Sequence, residues 1–173
     1  MIGQTLFFLI VIIAAVLLYA KLNREPGVEQ CLVRESTEIH LPLRAVFDRW
    51  LLFEGYPDFM ENVLKVQKLD ADTLLWESTV RGNTVRWKVS VDEIVLDKRI
   101  AWTSYSIPPS SVAVSFVRLS NNRTRVEVEM HSSFNDLPPD ESWLKRMKAS
   151  MKTSLENCKT MLESRSVRIS PRN

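Results

Sequence analysis

The stretch VFDRWLLFEGYPDFMENVLKVQKLDADTLLWESTVRGNTVRWKVSVDEIVLDKRIAWTS, Val46 to Ser104, decides how this chain is read. It opens at helical spacing. Leu43, Val46, Phe47, Trp50 and Leu51, with Pro42 just ahead of them, predict an amphipathic helix over 43–52. Gly55-Tyr56-Pro57-Asp58 ends that helix, and Pro57 is placed to start a second short one through Met60. The period then falls to two. Val63 to Leu69 reads as a strand and Asp70-Ala71-Asp72 as a turn. In the next strand Trp76, Ser78 and Val80 share one face, while Glu77, Thr79 and Arg81 share the other. Gly82-Asn83 fits a two-residue hairpin loop with glycine in the first central position. The returning strand places Trp87, Val89 and Val91 inside, and Asp97-Lys98 turns the chain into Ile100, Trp102 and Ser104. One inward tryptophan on each of three strands is more aromatic bulk than a small sheet needs, and points to a broad apolar concavity.

The flanks extend the same pattern. Val28 to Ile39 alternates as a strand, with Cys31, Val33, Thr37 and Ile39 on one face. After Pro108-Pro109, Val112, Val114 and Phe116 form another inward set. Asn121-Asn122 suits a tight turn that needs positive φ. Val126, Val128 and Met130 then point inward, with Glu127, Glu129 and His131 outside. Such alternation in consecutive strands describes an antiparallel sheet with one face in water and one buried. The cover expected for the buried face is a final helix from Asp140 to Ser164, whose stripe runs Trp143, Leu144, Met147, Met151, Leu155, Cys158, Leu162. The expected class is α+β, a curved antiparallel sheet around a long C-terminal helix, in a domain spanning 28–164. Residues 165–173, with three arginines and no acid, are expected to form a disordered basic tail.

The first twenty residues carry no charged side chain and include the unbroken run LFFLIVIIAAVLLYA. A helix of that length crosses the bilayer's hydrocarbon core of about 30 Å. A cleaved signal peptide wants a basic start and small residues at a cleavage site, and neither is present. The reading is a transmembrane anchor over 1–21, followed by a linker over 22–27 that contains Pro26-Gly27. Lys21 and Arg24 follow the apolar run and nothing basic precedes it, which places the domain on the cytoplasmic side of a single-pass membrane protein.

A net charge of +2, with no basic stripe, excludes a nucleic-acid surface. Cys31 and Cys158 are the only cysteines and lie far apart, giving neither a disulfide framework nor a zinc spacing. No metal, cofactor or nucleophile motif is found. His131 falls on the outer face, and His40 sits at a strand-to-helix junction in a surface or capping position. Glu35, in the phase of Cys31 and Val33, is the one acid whose position allows it to point inward. The candidate ligand-binding set is Trp76, Trp87, Trp102, Phe116, Met130, Trp143, Met147 and Met151. Flat indoles and flexible methionines suit an adaptable apolar pocket. Ser104 and Tyr105 are placed to orient a ligand without doing chemistry.

The segments FEGYPDFMENVLKVQKLD, the strands around Trp76 and Trp87, RIAWTS at Arg99 to Ser104, and SFVRLSNNRTRVEVEM at Ser115 to Met130 carry a resemblance. Over residues 30 to 162 the chain resembles the polyketide cyclase/dehydrase branch of the SRPBCC superfamily, related to START and coenzyme Q-binding START-like domains. That resemblance implies the helix-grip fold, a deep apolar cavity between sheet and helix, and a hydrophobic or lipid-like ligand. The functional expectation is membrane-anchored binding or transport of such a molecule, for example a quinone, an isoprenoid or an acyl lipid. One alternative is a cyclase or dehydratase acting on an aromatic or polyketide-like substrate. The other is a non-catalytic accessory protein of a membrane complex.

Overall fold

The computed structural model describes residues 29–80, 82–134 and 140–169. The anchor and linker read from the sequence, and the last residues of the basic tail, lie outside these. Among the described residues no helix is long and apolar enough to cross a membrane.

The described chain forms one antiparallel sheet of seven strands: β1 Glu29–Ile39, β2 Val63–Lys68, β3 Thr73–Val80, β4 Asn83–Val95, β5 Arg99–Ser104, β6 Ser110–Ser120 and β7 Arg123–Phe134. Their order is β1-β7-β6-β5-β4-β3-β2, so every hairpin neighbour in sequence is a neighbour in space and β1 closes the row beside β7. Helix α1, Leu43–Leu51, and a 3-10 helix, Phe53–Asp58, fall between β1 and β2. Helix α2, Glu141–Ile169, follows β7 and packs against β1. The strand phases are those the alternation predicts. Trp76 lies opposite Trp87, and Leu74 opposite Val89. Ile100, Trp102, Ser104, Val114, Phe116, Val126 and Val128 are all buried on the same face.

Four local expectations are corrected. Val80 pairs with Asn83, so the β3–β4 turn lies one position earlier than expected and Gly82, with φ of 79°, takes the left-handed conformation. The β6–β7 turn needs no such residue: among the described non-glycine residues only Asp97, in the β4–β5 turn, has positive φ. Asn121 and Asn122 make the reversal between the paired Ser120 and Arg123, and a register shift between Arg118 and Ser120 precedes it. Tyr56 and Pro57 belong to the 3-10 helix that begins at Phe53, rather than to a turn followed by a second helix. Helix α2 continues to Ile169, beyond the boundary expected at Ser164.

The strand ends define two ends of the domain. At one end β1 finishes beside the β6–β7 turn, where Ile39 pairs with Thr124. His40 there is exposed, as the surface reading expects, and caps no helix: it donates its backbone N–H to Glu163 of α2 at 2.8 Å, while Pro42 holds the N-cap of α1. Helix α1 starts from this end and fills the concavity with rings. Phe47 meets Phe116 edge-on at 5.2 Å, and Trp50 packs with Tyr56 at 5.6 Å and Phe59 at 5.3 Å. Tyr56 is fully buried and its hydroxyl donates to the Trp50 carbonyl at 2.9 Å. Burial of a phenol without a base partner pushes its pKa well up. The buried Arg49 guanidinium donates to the Gly55 carbonyl and to Asp58 Oδ2 at 3.0 Å, and lies over the Phe59 ring at 5.4 Å. A side chain at position 55 would overlap that guanidinium, so any larger residue there has to displace Arg49 from its partners.

At the other end, β1 begins opposite the end of β7, where Glu29 pairs with Phe134. The β5–β6 loop and the β3–β4 turn project from the same end. Helix α2 starts there too, capped by Asp140. The Asp140 carboxylate accepts from the Ser142 hydroxyl at 2.8 Å and the Trp143 amide at 2.7 Å, and those bonds hold it below the usual carboxylate range. The cap fixes Trp143, whose ring meets Phe134 at 5.0 Å.

Candidate functional site: an apolar cavity open at one end

Helix α2 divides the concavity. Along its second half Leu155, Cys158 and Leu162 are buried against the core. Along its first half Trp143, Met147 and Met151 are half-buried and face a cavity of about 650 Å³. Trp50, Met60 and Leu155 form the floor, where the ring-packed core stops. Trp76, Trp87 and Trp102 form one wall, with Trp76 6.4 Å from Trp87 and 6.2 Å from Trp102. Val112, Val128 and Met130 line it from β6 and β7. Val80, Tyr105 and Ile107 line the cavity yet are exposed to solvent, so the mouth opens between the β3–β4 turn and the β5–β6 loop.

Seven of the eight candidate residues are therefore brought together on one cavity: Trp76, Trp87, Trp102, Met130, Trp143, Met147 and Met151. Phe116 is not on the wall. It has the inward phase, but lies where α1 covers the sheet, between Phe47 and Trp50. Ser104 and Tyr105 are on the wall as expected. Trp50, Met60, Val80, Arg86 and the serines of the β5–β6 loop and α2 were not foreseen. Trp50 was legible as an inward residue of α1. Val80 likewise had the inward phase of Trp76, whereas Arg86 had the outward phase and the loop serines became wall residues through loop geometry, which leaves no mark in the period.

The polar groups of the wall divide into satisfied and unsatisfied. The Ser104 hydroxyl lies 3.2 Å from Ser106 Oγ, and Ser106 donates to the Pro108 carbonyl at 2.8 Å. Ser110 pairs with Ser132 at 2.8 Å, and Ser154 donates to the Ser150 carbonyl at 3.0 Å. Those hydroxyl donors are committed to the protein. The indole N–H groups of Trp76 and Trp87 are buried and have no protein acceptor, and that of Trp50 on the floor is buried with only the Cys158 sulfur beside it. An unmade hydrogen bond at a buried donor costs about 1–3 kcal/mol, so Trp76 and Trp87 call for an acceptor from outside the chain.

Ionisable chemistry is sparse. Among the described residues that line the cavity, Arg86 and Tyr105 alone have ionisable side chains, and none is a carboxylate, imidazole, thiol or amine. The Arg86 head is mostly exposed and ion-paired with Glu77. Glu35 does not reach the cavity: its carboxylate lies 3.7 Å from Lys148 Nζ on α2. His131 sits on the outer face against Glu129 at 2.6 Å, as its phase predicts. The same Glu129 meets Arg34, and these two partners, Arg34 first, bring its pKa down to about 2. Cys31 and Cys158 are buried and free. Burial pushes the Cys158 thiol up to about 12, against the opposing pull of the Arg49 charge and the Trp50 indole. Among the described residues no cluster of three His, Cys, Asp or Glu is placed to hold a metal ion.

A curved sheet that grips a long helix over a ligand-sized apolar cavity defines a class of hydrophobic-ligand domains, and comparison with known proteins identifies the family within it. The profile for polyketide cyclase / dehydrase and lipid transport matches residues 39–158, and the chain belongs to that family. An uncharacterised 17.2 kDa protein of Streptomyces lincolnensis is 28% identical over 140 residues, 77% of this chain and 90% of that one. Two solved structures share the fold at low identity. A Streptomyces aromatase/cyclase superposes with a TM-score of 0.67 at 16% identity, covering 80% of this chain and 96% of its own. A START superfamily protein from Mycobacterium smegmatis gives 0.62 at 16%, covering 83% and 100%. The family description spans both polyketide cyclase or dehydrase activity and lipid transport.

Proposed function

We propose that this protein holds one uncharged, largely apolar molecule bearing a hydrogen-bond acceptor, and that residues 1–21 anchor it in a membrane. The observation that carries the reading is the pair of buried, unpartnered indole donors, Trp76 and Trp87, in an otherwise apolar cavity. A volume of about 650 Å³ falls within the range of pockets that enclose drug-sized ligands. A carbonyl or ether oxygen satisfies the indoles. A charged group inside would lose its hydration with no counter-charge in the interior to replace it. Quinones, isoprenoid derivatives and acyl lipids meet this description. The uncharged run Ile2 to Ala20 supports the anchor, and tethering would raise the effective concentration of any membrane-dissolved ligand.

The test is native mass spectrometry and solvent extraction of the full chain released from membranes. The expected result is one apolar molecule per chain, displaced less readily from wild type than from a Trp76→Phe, Trp87→Phe double variant. A chain that is empty in every preparation, and whose melting temperature is unmoved by carbonyl-bearing lipids, overturns the reading.

A cyclase or dehydratase reading is favoured by one observation, the Arg86 guanidinium at the cavity edge, which is placed to stabilise developing negative charge on a carbonyl. It lacks a general base among the described wall residues. Turnover of a polyketide-like substrate that is lost in Arg86→Gln, with ligand retention kept, would establish it. The accessory reading predicts a stable membrane partner together with an empty cavity.

A further inference from the structure

We infer that the mouth of the cavity docks on the lipid surface, with Val80, Tyr105 and Ile107 as the contacting collar. Three observations meet at one end of the domain. The first is exposure. Ile107 is fully exposed, Tyr105 is 62% exposed and Val80 49%, and all three border the same opening. Single exposed apolar side chains need no explanation, but a group of them ringing an apolar opening marks a contact surface.

The second observation is where the chain enters the fold. Glu29, the first described residue, pairs with Phe134, and Ser133 donates its backbone N–H to the Pro109 carbonyl at 3.0 Å. The start of β1 is thus beside the β5–β6 loop that carries Tyr105 and Ile107. Between Ala20, the last residue of the apolar run, and Glu29 stand eight residues, 21–28. Fully extended they reach about 30 Å. β1 itself, at 11 residues, is about 36 Å long. The mouth end therefore always stays within linker reach of the membrane, while the ring-packed end reaches it only if the domain folds back on its tether.

The third observation is charge. Lys145 and Arg146 are exposed along the first turns of α2 behind Trp143, while the exposed Lys148 and Arg86 nearby are paired with Glu35 and Glu77. These are the groups that meet anionic headgroups when an apolar collar is seated at the headgroup boundary. A bilayer, rather than a protein, is the occupant because the apolar run and the collar are delivered by one chain to one side. The consequence is direct transfer: a ligand moves between bilayer and cavity without crossing water. This inference rests on the anchoring reading of residues 1–21.

The experiment uses the full chain in vesicles of phosphatidylcholine and phosphatidylglycerol. An environment-sensitive fluorophore is placed at Ile107→Cys, or at Asn122→Cys on the opposite end as control. The buried native thiols leave the labelling specific. The expected result is blue-shifted emission at position 107, quenched about two-fold or more by nitroxide-bearing lipids, as for a group some 5–10 Å into the headgroup boundary, with position 122 unquenched. Retention in vesicles after alkaline carbonate, with position 107 fully aqueous, overturns the docking and leaves the anchor standing. Release by carbonate overturns both. Protection of position 107 without lipid quenching also overturns it and assigns the collar to a protein face. Ligand retention is read on the same samples by extraction, so failure of docking and failure of ligand binding are told apart.

Discussion

The two ends of one concavity are built from the same sheet face, yet one is solid and the other hollow. At the α1 end, Phe47, Trp50, Tyr56, Phe59 and Phe116 close on one another ring against ring. At the open end, Trp76 and Trp102 rest on Tyr56 with one edge and, with Trp87 and Trp143, stand around space. The difference is not hydrophobicity. It is whether a second helix lies over the sheet: α1 plugs one end, and nothing described plugs the other. Stability should therefore concentrate at one end and binding at the other.

The sharpest way to break that comparison is to truncate one residue from each end. Phe47→Ala removes a fully buried ring and is expected to cost about 3–5 kcal/mol in denaturant unfolding. Met147→Ala, on the half-buried cavity wall, should cost less than about 1 kcal/mol, because part of its surface already faces space, while ligand retention falls. Equal losses would mean that the cavity end is packed as tightly as the core. Gly55 and Gly82 sharpen the contrast. Gly55→Ala drives the buried Arg49 guanidinium from its carbonyl and carboxylate partners, an expected loss of about 1–3 kcal/mol. Gly82→Ala meets open space and carries only the left-handed backbone penalty, about 1 kcal/mol, with the ring-packed end unaffected.

A smaller effect separates donor from filler. In the empty protein, Trp76→Phe and Trp87→Phe each delete an unsatisfied N–H while keeping a ring, so the melting temperature should hold or rise slightly. In the loaded protein the same changes should weaken retention by about tenfold, the equivalent of 1.4 kcal/mol. Unchanged retention would make the indoles wall material only. The smallest effect belongs to neither end. Arg34 and His131 hold Glu129 at about 2, below the 4.5 of an unpaired glutamate. With the folded value depressed, the stabilisation is fully present above about 4.5 and is lost as pH falls through about 2. Glu129→Gln should therefore unfold at lower denaturant than wild type at pH 6, with the gap narrowing progressively in acid.

The sheet was legible because a side-chain period of two is printed directly in the sequence, and the phases of β3 through β7 followed from it. The cavity was legible only as a face. Trp76 and Phe116 have the same inward phase and both are buried, yet only Trp76 also borders the cavity, because their fates depend on how far α1 reaches along the sheet. That distance is tertiary. The β3–β4 turn was misplaced by one residue for a related reason: both Arg81-Gly82 and Gly82-Asn83 satisfy local turn chemistry, and cross-strand pairing of Trp76 with Trp87 decides between them. Glu35 shows the converse. Its phase is inward, but Lys148 of α2 meets it before it reaches the cavity.

One consequence follows from the division of helix α2. Its second half is buried through Leu155, Cys158 and Leu162, while its first half rests on the rim through Trp143 and the Asp140 cap. Resistance to opening scales with local packing, so a single helix should show two rates of amide hydrogen exchange, slow near Leu155 and fast near Leu144. Fraying of the first turns would then widen the mouth while the fold persists. The time a molecule stays inside would be set by how often one helix loosens at its start, and unfolding would not be its route of escape.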